Sequence, residues 1–222
     1  MKAAIIVAGG TGTRMNSLTP KQFLLLKGIP VVMHSLFAFI RFDESMKLLL
    51  ALPEYLFDRW KELQQEHGWS IPYDLVPGGE TRFHSVSNCL QRLDSKGLVA
   101  IHDGVRPLLS QSLINRLFLT AEKEGNAIPV VPVNESIRQV EGSSNKPVDR
   151  SLFWLVQTPQ VFHTFMIKQA YLQSYQPGFT DDATVLESLG KPIHLVEGDP
   201  ANLKITYPSD LLMAASLLHS GS

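Results

Sequence analysis

The residues Ile5-Ile6-Val7-Ala8-Gly9-Gly10-Thr11-Gly12-Thr13-Arg14-Met15, closed by Pro20-Lys21-Gln22, leave this chain little choice of fold. An apolar, β-branched run leads straight into three glycines and an arginine. That order reads as a buried strand opening onto a loop whose backbone N–H groups can approach an anion. Glycine lets main chain come close to phosphate, and Arg14 and Lys21 bring charge. Two familiar loops do not fit. The dinucleotide fingerprint needs a third glycine three residues after the second, but Thr13, Arg14 and Met15 follow Gly12. The P-loop needs Gly-Lys-Ser/Thr, which is absent.

Downstream, strand-like and helix-like patterns alternate. Helices are expected at Pro30 to Arg41, with proline at the first position, at Glu54 to His67, at Thr81 to Leu93 and at Gln111 to Glu124. Strands are expected at Met46 to Leu52, Tyr73 to Val76, Leu98 to His102 and Ala127 to Val133. Such alternation means an α/β fold with a mostly parallel sheet covered on both faces, and ligands gathered at the carboxyl ends of its strands. Residues 134–150 break the pattern. Ser136-Ile137-Arg138-Gln139-Val140 alternates as an exposed strand does, Glu141 to Lys146 is turn-rich, and Pro147 to Arg150 returns, which describes a projecting β-hairpin. With few apolar residues it cannot hold itself in water, and a second copy of the chain is the economical partner. Beyond it, helices are expected from about His163 to Tyr175, Asp181 to Leu189 and Ser209 to His219, with a strand at Ile193 to Val196.

At 222 residues the chain can be one domain, 1–222, with 134–150 as its arm. Hydrophobic residues at 44% and charged ones at 18% fit an ordinary globular protein. A formal net charge of −1 argues against a general nucleic-acid surface, so any anion is handled locally. Cys89 is the only cysteine, which rules out a disulfide framework and a cysteine-based zinc site; on its helix face it reads as a buried, inert thiol. No apolar run approaches the roughly 20 residues of a membrane span and the first strand begins at once, so the expectation is a cytoplasmic protein with no membrane partner.

Five further stretches carry chemistry. Gly78-Gly79-Glu80-Thr81-Arg82-Phe83-His84-Ser85 follows a strand and opens a helix, where backbone groups can contact a flat base edge; the plainer reading is a turn capped by Glu80 or Thr81. In His102-Asp103-Gly104-Val105-Arg106, Asp103 could hold Mg²⁺ or Arg106 a phosphate, or the two could pair with each other to stabilise the turn. His102 reads as structural. Arg150 suits the bidentate grip of a phosphate, with Asp149 beside it to neutralise it, and Gln157-Thr158-Pro159-Gln160 lies just beyond the hairpin. Thr180-Asp181-Asp182-Ala183 reads first as a helix cap, with Asp181 or Thr180 as the N-cap, and second as a contact to a substrate hydroxyl. Lys204, flanked by apolar residues, either snorkels or points an ammonium inward near phosphates, and the second reading is favoured in this company.

The Gly-Gly-x-Gly-x-Arg loop with its Pro-Lys resembles the signature of sugar-phosphate nucleotidyltransferases. The whole series resembles the 2-C-methyl-D-erythritol 4-phosphate cytidylyltransferase family of the non-mevalonate isoprenoid pathway. It comprises Ala8-Gly9-Gly10-x-Gly12-x-Arg14-Met15, Pro20-Lys21-Gln22, Gly78-Gly79-x-x-Arg82-x-x-Ser85-Val86, His102-Asp103-x-x-Arg106-Pro107, Asp149-Arg150, Thr158-Pro159-Gln160 and Asn202-x-Lys204-Ile205-Thr206. The resemblance implies a Rossmann-like nucleotidyltransferase sandwich that joins CTP to the acceptor phosphate, with Mg²⁺ or another divalent cation, and releases pyrophosphate. It assigns transition-state stabilisation to Arg14 and Lys21, and positioning of the acceptor phosphate to Arg150 and Lys204. CTP would be held by Ala8, Gly9, Gly10, Thr11, Gly12, Thr13, Gly78, Gly79, Glu80, Arg82 and Ser85. Asp103, Arg106, Ser136, Arg150 and Thr180 would hold the acceptor. It further implies a homodimer whose hairpin crosses to the neighbouring site, so that Ser136 and Arg150 act in trans. Two departures lie near the acceptor: Gly104-Val105 stands where small residues are usual, and Ser136 where threonine is. Ribitol-5-phosphate cytidylyltransferase shares the first loop and the Lys-Ile-Thr ending, and a non-catalytic nucleotide-binding protein is the alternative from another class.

Overall fold

The structure, a computed structural model, describes residues 1–10, 15, 17 and 19–218. Thr11, Gly12, Thr13 and Arg14 therefore lie outside the described residues. The first strand, β1 (Lys2–Val7), sits centrally in an eight-stranded sheet, paired in parallel with β4 (Lys47–Leu52) on one side and β6 (Leu98–Asp103) on the other. Beyond β4 comes β5 (Asp74–Pro77), also parallel. Successive residues of β1 serve opposite faces, as the two-residue period of a strand demands. Ala4 and Ile6 pack with α1 (Val31–Phe42), α2 (Phe57–Glu66) and α4 (Gln111–Glu124). Ala3 and Ile5 pack with α3 (Arg82–Leu90), α5 (Thr164–Ala170) and α6 (Asp182–Glu187). Each fully buried Leu or Ile contributes roughly 1.5–3 kcal/mol, so these two apolar faces hold the layers together.

Register positions the site. Val7 is level with Ala51 and Asp103, and Leu52 with Pro77. The carboxyl ends of four parallel strands therefore stand in a row. Just past them the ladder continues through Ala8 N to Ala51 O at 2.9 Å, Gly104 N to Val7 O at 2.9 Å and Gly78 N to Leu52 O at 2.9 Å.

The other half of the sheet departs from the expected pattern. β7 (Asn126–Pro132) does not pair directly with β6. β11 (Gln160–His163) lies between them, antiparallel to both. Next to it β10 (Trp154–Val156) pairs antiparallel with β7, and β12 (Leu195–Glu197) runs parallel along the other edge of β7. The expected helix from His163 is correspondingly short: β11 uses His163, and α5 ends at Ala170.

Residues 134–150 form the expected hairpin, β8 (Ile137–Glu141) with β9 (Ser144–Val148). Among the described residues these two strands pair only with each other, and Val140 is 69% exposed. A second, unexpected ribbon joins β2 (Leu25–Leu26) to β3 (Ile29–Pro30) through Lys27 and Gly28, both at positive φ as a tight hairpin turn requires. The last helix, α7 (Pro208–Leu217), closes a third apolar cluster over Val31, Val105 and Ile205. No helix among the described residues is long and apolar enough to cross a membrane.

Candidate active site

Two cavities of about 260 Å³ each open at the strand ends and share one wall made of Arg82, Asp103 and Lys204. The first is lined by main chain: Ala8, Gly9 and Gly10 after β1, and Gly78, Gly79 and Glu80 after β5. Lys21 and Ser85 face it too. The Ser85 hydroxyl accepts from Gly79 N at 3.0 Å and donates to Thr81 O at 3.0 Å, which pins the turn to the start of α3. Thr81 is the N-cap of α3, so the plainer capping reading and the lining role hold together. A Cβ on Gly79 would lie 2.4 Å from His84 Cβ, so only glycine fits there.

Lys21 begins a short 3-10 turn, Lys21–Phe23, that is anchored from below. Gln22 is buried and its Nε2 donates to Ala8 O at 2.8 Å, while the Phe23 ring stacks on buried Trp60 with centroids 6.0 Å apart. Lys21 Nζ donates to Ile205 O at 3.5 Å. The Pro-Lys-Gln triplet is thus a lysine on a fixed mount.

The second cavity adds Arg106, Gln157, Thr158, Gln160, Thr180 and Asp181 to the shared wall. Arg106 Nη1 donates to Asn202 O at 2.7 Å, and its buried Nε has no hydrogen-bond partner. Asp103 and Arg106 do not form the ion pair offered as one reading of the rim. Asp103 Oδ1 instead accepts from Arg82 Nε at 3.2 Å, and Oδ2 pairs with Lys204 Nζ at 2.8 Å. Lys204 is therefore inward, as favoured. Burial alone would raise the Asp103 pKa, but Arg82, then Lys204 and Arg106, outweigh it and hold the carboxyl well below the usual range.

His102 is structural. Its Nε2 meets Arg106 O at 3.0 Å, and a carbonyl only accepts, so Nε2 carries the proton. Thr158 Oγ1 then donates to Nδ1 at 3.2 Å while accepting from Asp103 N at 3.0 Å. Burial lowers the His102 pKa to about 4, so the ring is neutral near pH 7. Cys89 is likewise inert, its thiol pushed up to about 12 by burial.

Ser136 and Arg150 are not brought to either cavity of this chain. Both are exposed, and Arg150 donates to the carbonyl of Asn134, closing the hairpin base. Asp149 does not neutralise it; its Oδ1 accepts from Ser151 N at 3.0 Å and Ser151 Oγ at 2.7 Å. Asp181, not Thr180, caps α6, and Thr180 lines the second cavity. Sequence reasoning placed Val105 near the acceptor and passed over Pro53, both of which line the first cavity, and it gave Asp182 no role of its own. Asp182 in fact holds Arg82 through Oδ1 to Nη1 at 2.9 Å and Oδ2 to Nη2 at 2.7 Å. A pair of acidic residues at a helix start was the one available signal.

A glycine-backbone cleft beside a cation-rich pocket, on a mostly parallel α/β sheet, defines a nucleotidyltransferase. The sequence model of IspD, 2-C-methyl-D-erythritol 4-phosphate cytidylyltransferase, matches residues 2–220. The relative of that name from Bacteroides fragilis is 51% identical over 217 residues, covering 98% of this chain and 99% of its own. The one from Bacteroides thetaiotaomicron is 48% identical with the same coverage. The crystal structure of the enzyme from Thermus thermophilus superposes with a TM-score of 0.77 at 31% identity, covering 99% of this chain and 100% of that one. The chain belongs to the 2-C-methyl-D-erythritol 4-phosphate cytidylyltransferase family.

Proposed function

We propose that this chain transfers a cytidylyl group from CTP to 2-C-methyl-D-erythritol 4-phosphate in isoprenoid precursor biosynthesis, giving 4-diphosphocytidyl-2-C-methyl-D-erythritol and pyrophosphate. The observation that carries the reading is the shared wall: a base-sized cleft of main chain and a polar pocket meet at Arg82, Asp103 and Lys204. The acceptor phosphate attacks the α-phosphate in line, and the protein's work is positioning and charge stabilisation. Ala8, Gly9, Gly10, Gly78, Gly79, Glu80 and Ser85 bind the nucleotide, with Thr11, Gly12 and Thr13 continuing the loop. Arg82 lines the same cleft. Arg14, Lys21 and Lys204 balance the developing charge. Arg106 and Thr180, which line the second cavity, receive the acceptor.

The residues present fit a divalent cation that arrives with phosphates. Among the described residues no cluster of three His, Cys, Asp or Glu forms a metal cage, but Mg²⁺ commonly takes one carboxylate plus substrate phosphates. Asp103, on the wall between the cavities and ionised at neutral pH, would hold it. When bound, the cation supplies Lewis-acid neutralisation of phosphate charge.

The active form is a homodimer in which the hairpin arm lends Ser136 and Arg150 to the neighbouring site, and the place of action is the cytoplasm. The arm's isolation supports this, as does the apolar run from Leu152 to Val156 at its base, each member at least 45% exposed. The test is pyrophosphate release with CTP and Mg²⁺, offering methylerythritol 4-phosphate and ribitol 5-phosphate in parallel. Release with the first is expected, and release with ribitol 5-phosphate alone overturns the acceptor. For the arm, Arg150→Ala and Lys21→Ala chains are mixed after each proves inactive. Sharing in trans restores about a quarter of the wild-type sites in a statistical mixture, and no recovery overturns the arrangement.

A further inference from the structure

We infer that Asp182 is a positioning residue for the transfer reaction, acting through Arg82 to fix which oxygen of Asp103 faces the two cavities. The inference rests on the function proposed above. Asp182 lines neither cavity and its side chain is wholly buried at the first turn of α6. Its carboxylate is nonetheless held on every side. Arg82 Nη1 and Nη2 reach Oδ1 and Oδ2 at 2.9 and 2.7 Å, and the Tyr171 hydroxyl donates to Oδ1 at 2.6 Å. The helix start is itself clamped to β11: Gln160 Nε2 donates to Asp181 Oδ2 at 2.7 Å, and Gln160 Oε1 accepts from Ala183 N at 2.9 Å.

A guanidinium is a rigid planar fork, so fixing both terminal nitrogens fixes where the Nε–H points. Held by Nη1 and Nη2 on Asp182, Arg82 presents Nε to Asp103 and meets it at Oδ1. Oδ2 is left for Lys204 and for whatever enters the cavities. Without the Asp182 charge the fork is free to turn and clasp both Asp103 oxygens, displacing Lys204. Asp182 thus decides the geometry of two cavities it does not line. A tie that merely joins α3 to α6 would affect stability without this directed consequence.

Steady-state kinetics and CTP titration calorimetry on the full-length chain distinguish the two. In Asp182→Asn, kcat/KM for the acceptor falls on the order of 10- to 100-fold, the cost of misplacing a site group, while CTP affinity read without a divalent cation falls by clearly less, because Gly78, Gly79 and Ser85 keep the cleft. Asp182→Glu, which keeps the charge, recovers most of the loss. In an Asp103→Asn background the same change has no further effect, because the two act as one unit. Tyr171→Phe, which removes only the hydroxyl on Oδ1, serves if Asp182→Asn does not fold; it shows a smaller loss in the same direction that also vanishes in Asp103→Asn. Equal losses in both backgrounds, or CTP affinity falling in step with activity, overturn the inference alone. A wild-type chain silent with the acceptor overturns the transfer reading, and this inference with it.

Discussion

Replacing Lys21 with alanine isolates one charge at a site whose scaffold stays intact. The side chain begins on the turn anchored by Gln22 on Ala8 O and by Phe23 on Trp60, neither of which the truncation touches. Its Cε lies 3.4 Å from the position a Cβ on Gly10 would take, so the ammonium is carried across the glycine turn where phosphate is proposed to sit. A unit charge about 4 Å from a phosphate oxygen is worth about 4 kcal/mol at an effective dielectric near 20. At 1.36 kcal/mol per decade that is about a thousandfold in rate, and the remaining cations recover part of it. Turnover is therefore expected to fall on the order of 10²- to 10³-fold, the scale of losing one electrostatic stabiliser. Single-turnover pyrophosphate release measures this directly. Stability by urea unfolding should change by no more than about 1.5 kcal/mol, the scale of losing the long, part-buried hydrogen bond to Ile205 O. Turnover within threefold of wild type, in a folded variant, refutes the role given to Lys21.

Three further outcomes follow from burial. His102 is folded with a pKa of about 4 against an unfolded value of 6.5, so the unfolded chain takes up a proton that the folded chain refuses. Its contribution is complete above pH 6.5 and is lost as pH falls to about 4, on the order of 3 kcal/mol in all; urea unfolding from pH 7 to pH 4.5 reads it, and an equally steep slope in His102→Gln refutes it. Asp103 is also held low, but its loss belongs to still lower pH. Gly79→Ala would place a Cβ 2.4 Å from His84 Cβ and 2.9 Å from its carbonyl carbon, forcing the turn off the helix and breaking the 3.0 Å bond to Ser85. A loss of at least roughly tenfold in CTP affinity by calorimetry is expected, alongside destabilisation of about 1–3 kcal/mol. Cys89 should resist a thiol reagent in buffer and react in urea, and rapid labelling of the native chain contradicts its placement.

Where local signals were complete, the sequence could be read residue by residue. The helix expected at Gln111 to Glu124 is found with those bounds because Ser110 caps its start and Gly125 ends it in the left-handed conformation. The strand ends that carry Ala8, Gly78 and Asp103 follow from apolar runs emptying into glycine or acid. β11 was illegible for the opposite reason. Four residues behind Thr158-Pro159 carry too little pattern to announce a strand, and its antiparallel insertion is set by what β6 and β7 leave open. Arg82 is implied as a CTP-binding residue by its motif, but its partner Asp182 lies 100 residues away and only the fold brings the two together.

The shared wall of Arg82, Asp103 and Lys204, with buried Asp182 behind it, sets two cations against two carboxylates before any ligand enters. Buried charge is costly unless matched, which explains why the site holds acids at all in a place proposed to receive phosphates. The four are not equally committed. Arg82 makes contacts to two carboxylates, one of them bidentate, whereas Lys204 makes a single ion pair and keeps its side chain 45% exposed. An entering phosphate therefore competes for Lys204 before it competes for Arg82. With Lys204 turned to that phosphate, Oδ2 of Asp103 would be free to hold a divalent cation, which would supply neutralisation of phosphate charge. One flexible lysine against one fixed arginine lets the wall exchange partners without leaving a charge unmatched.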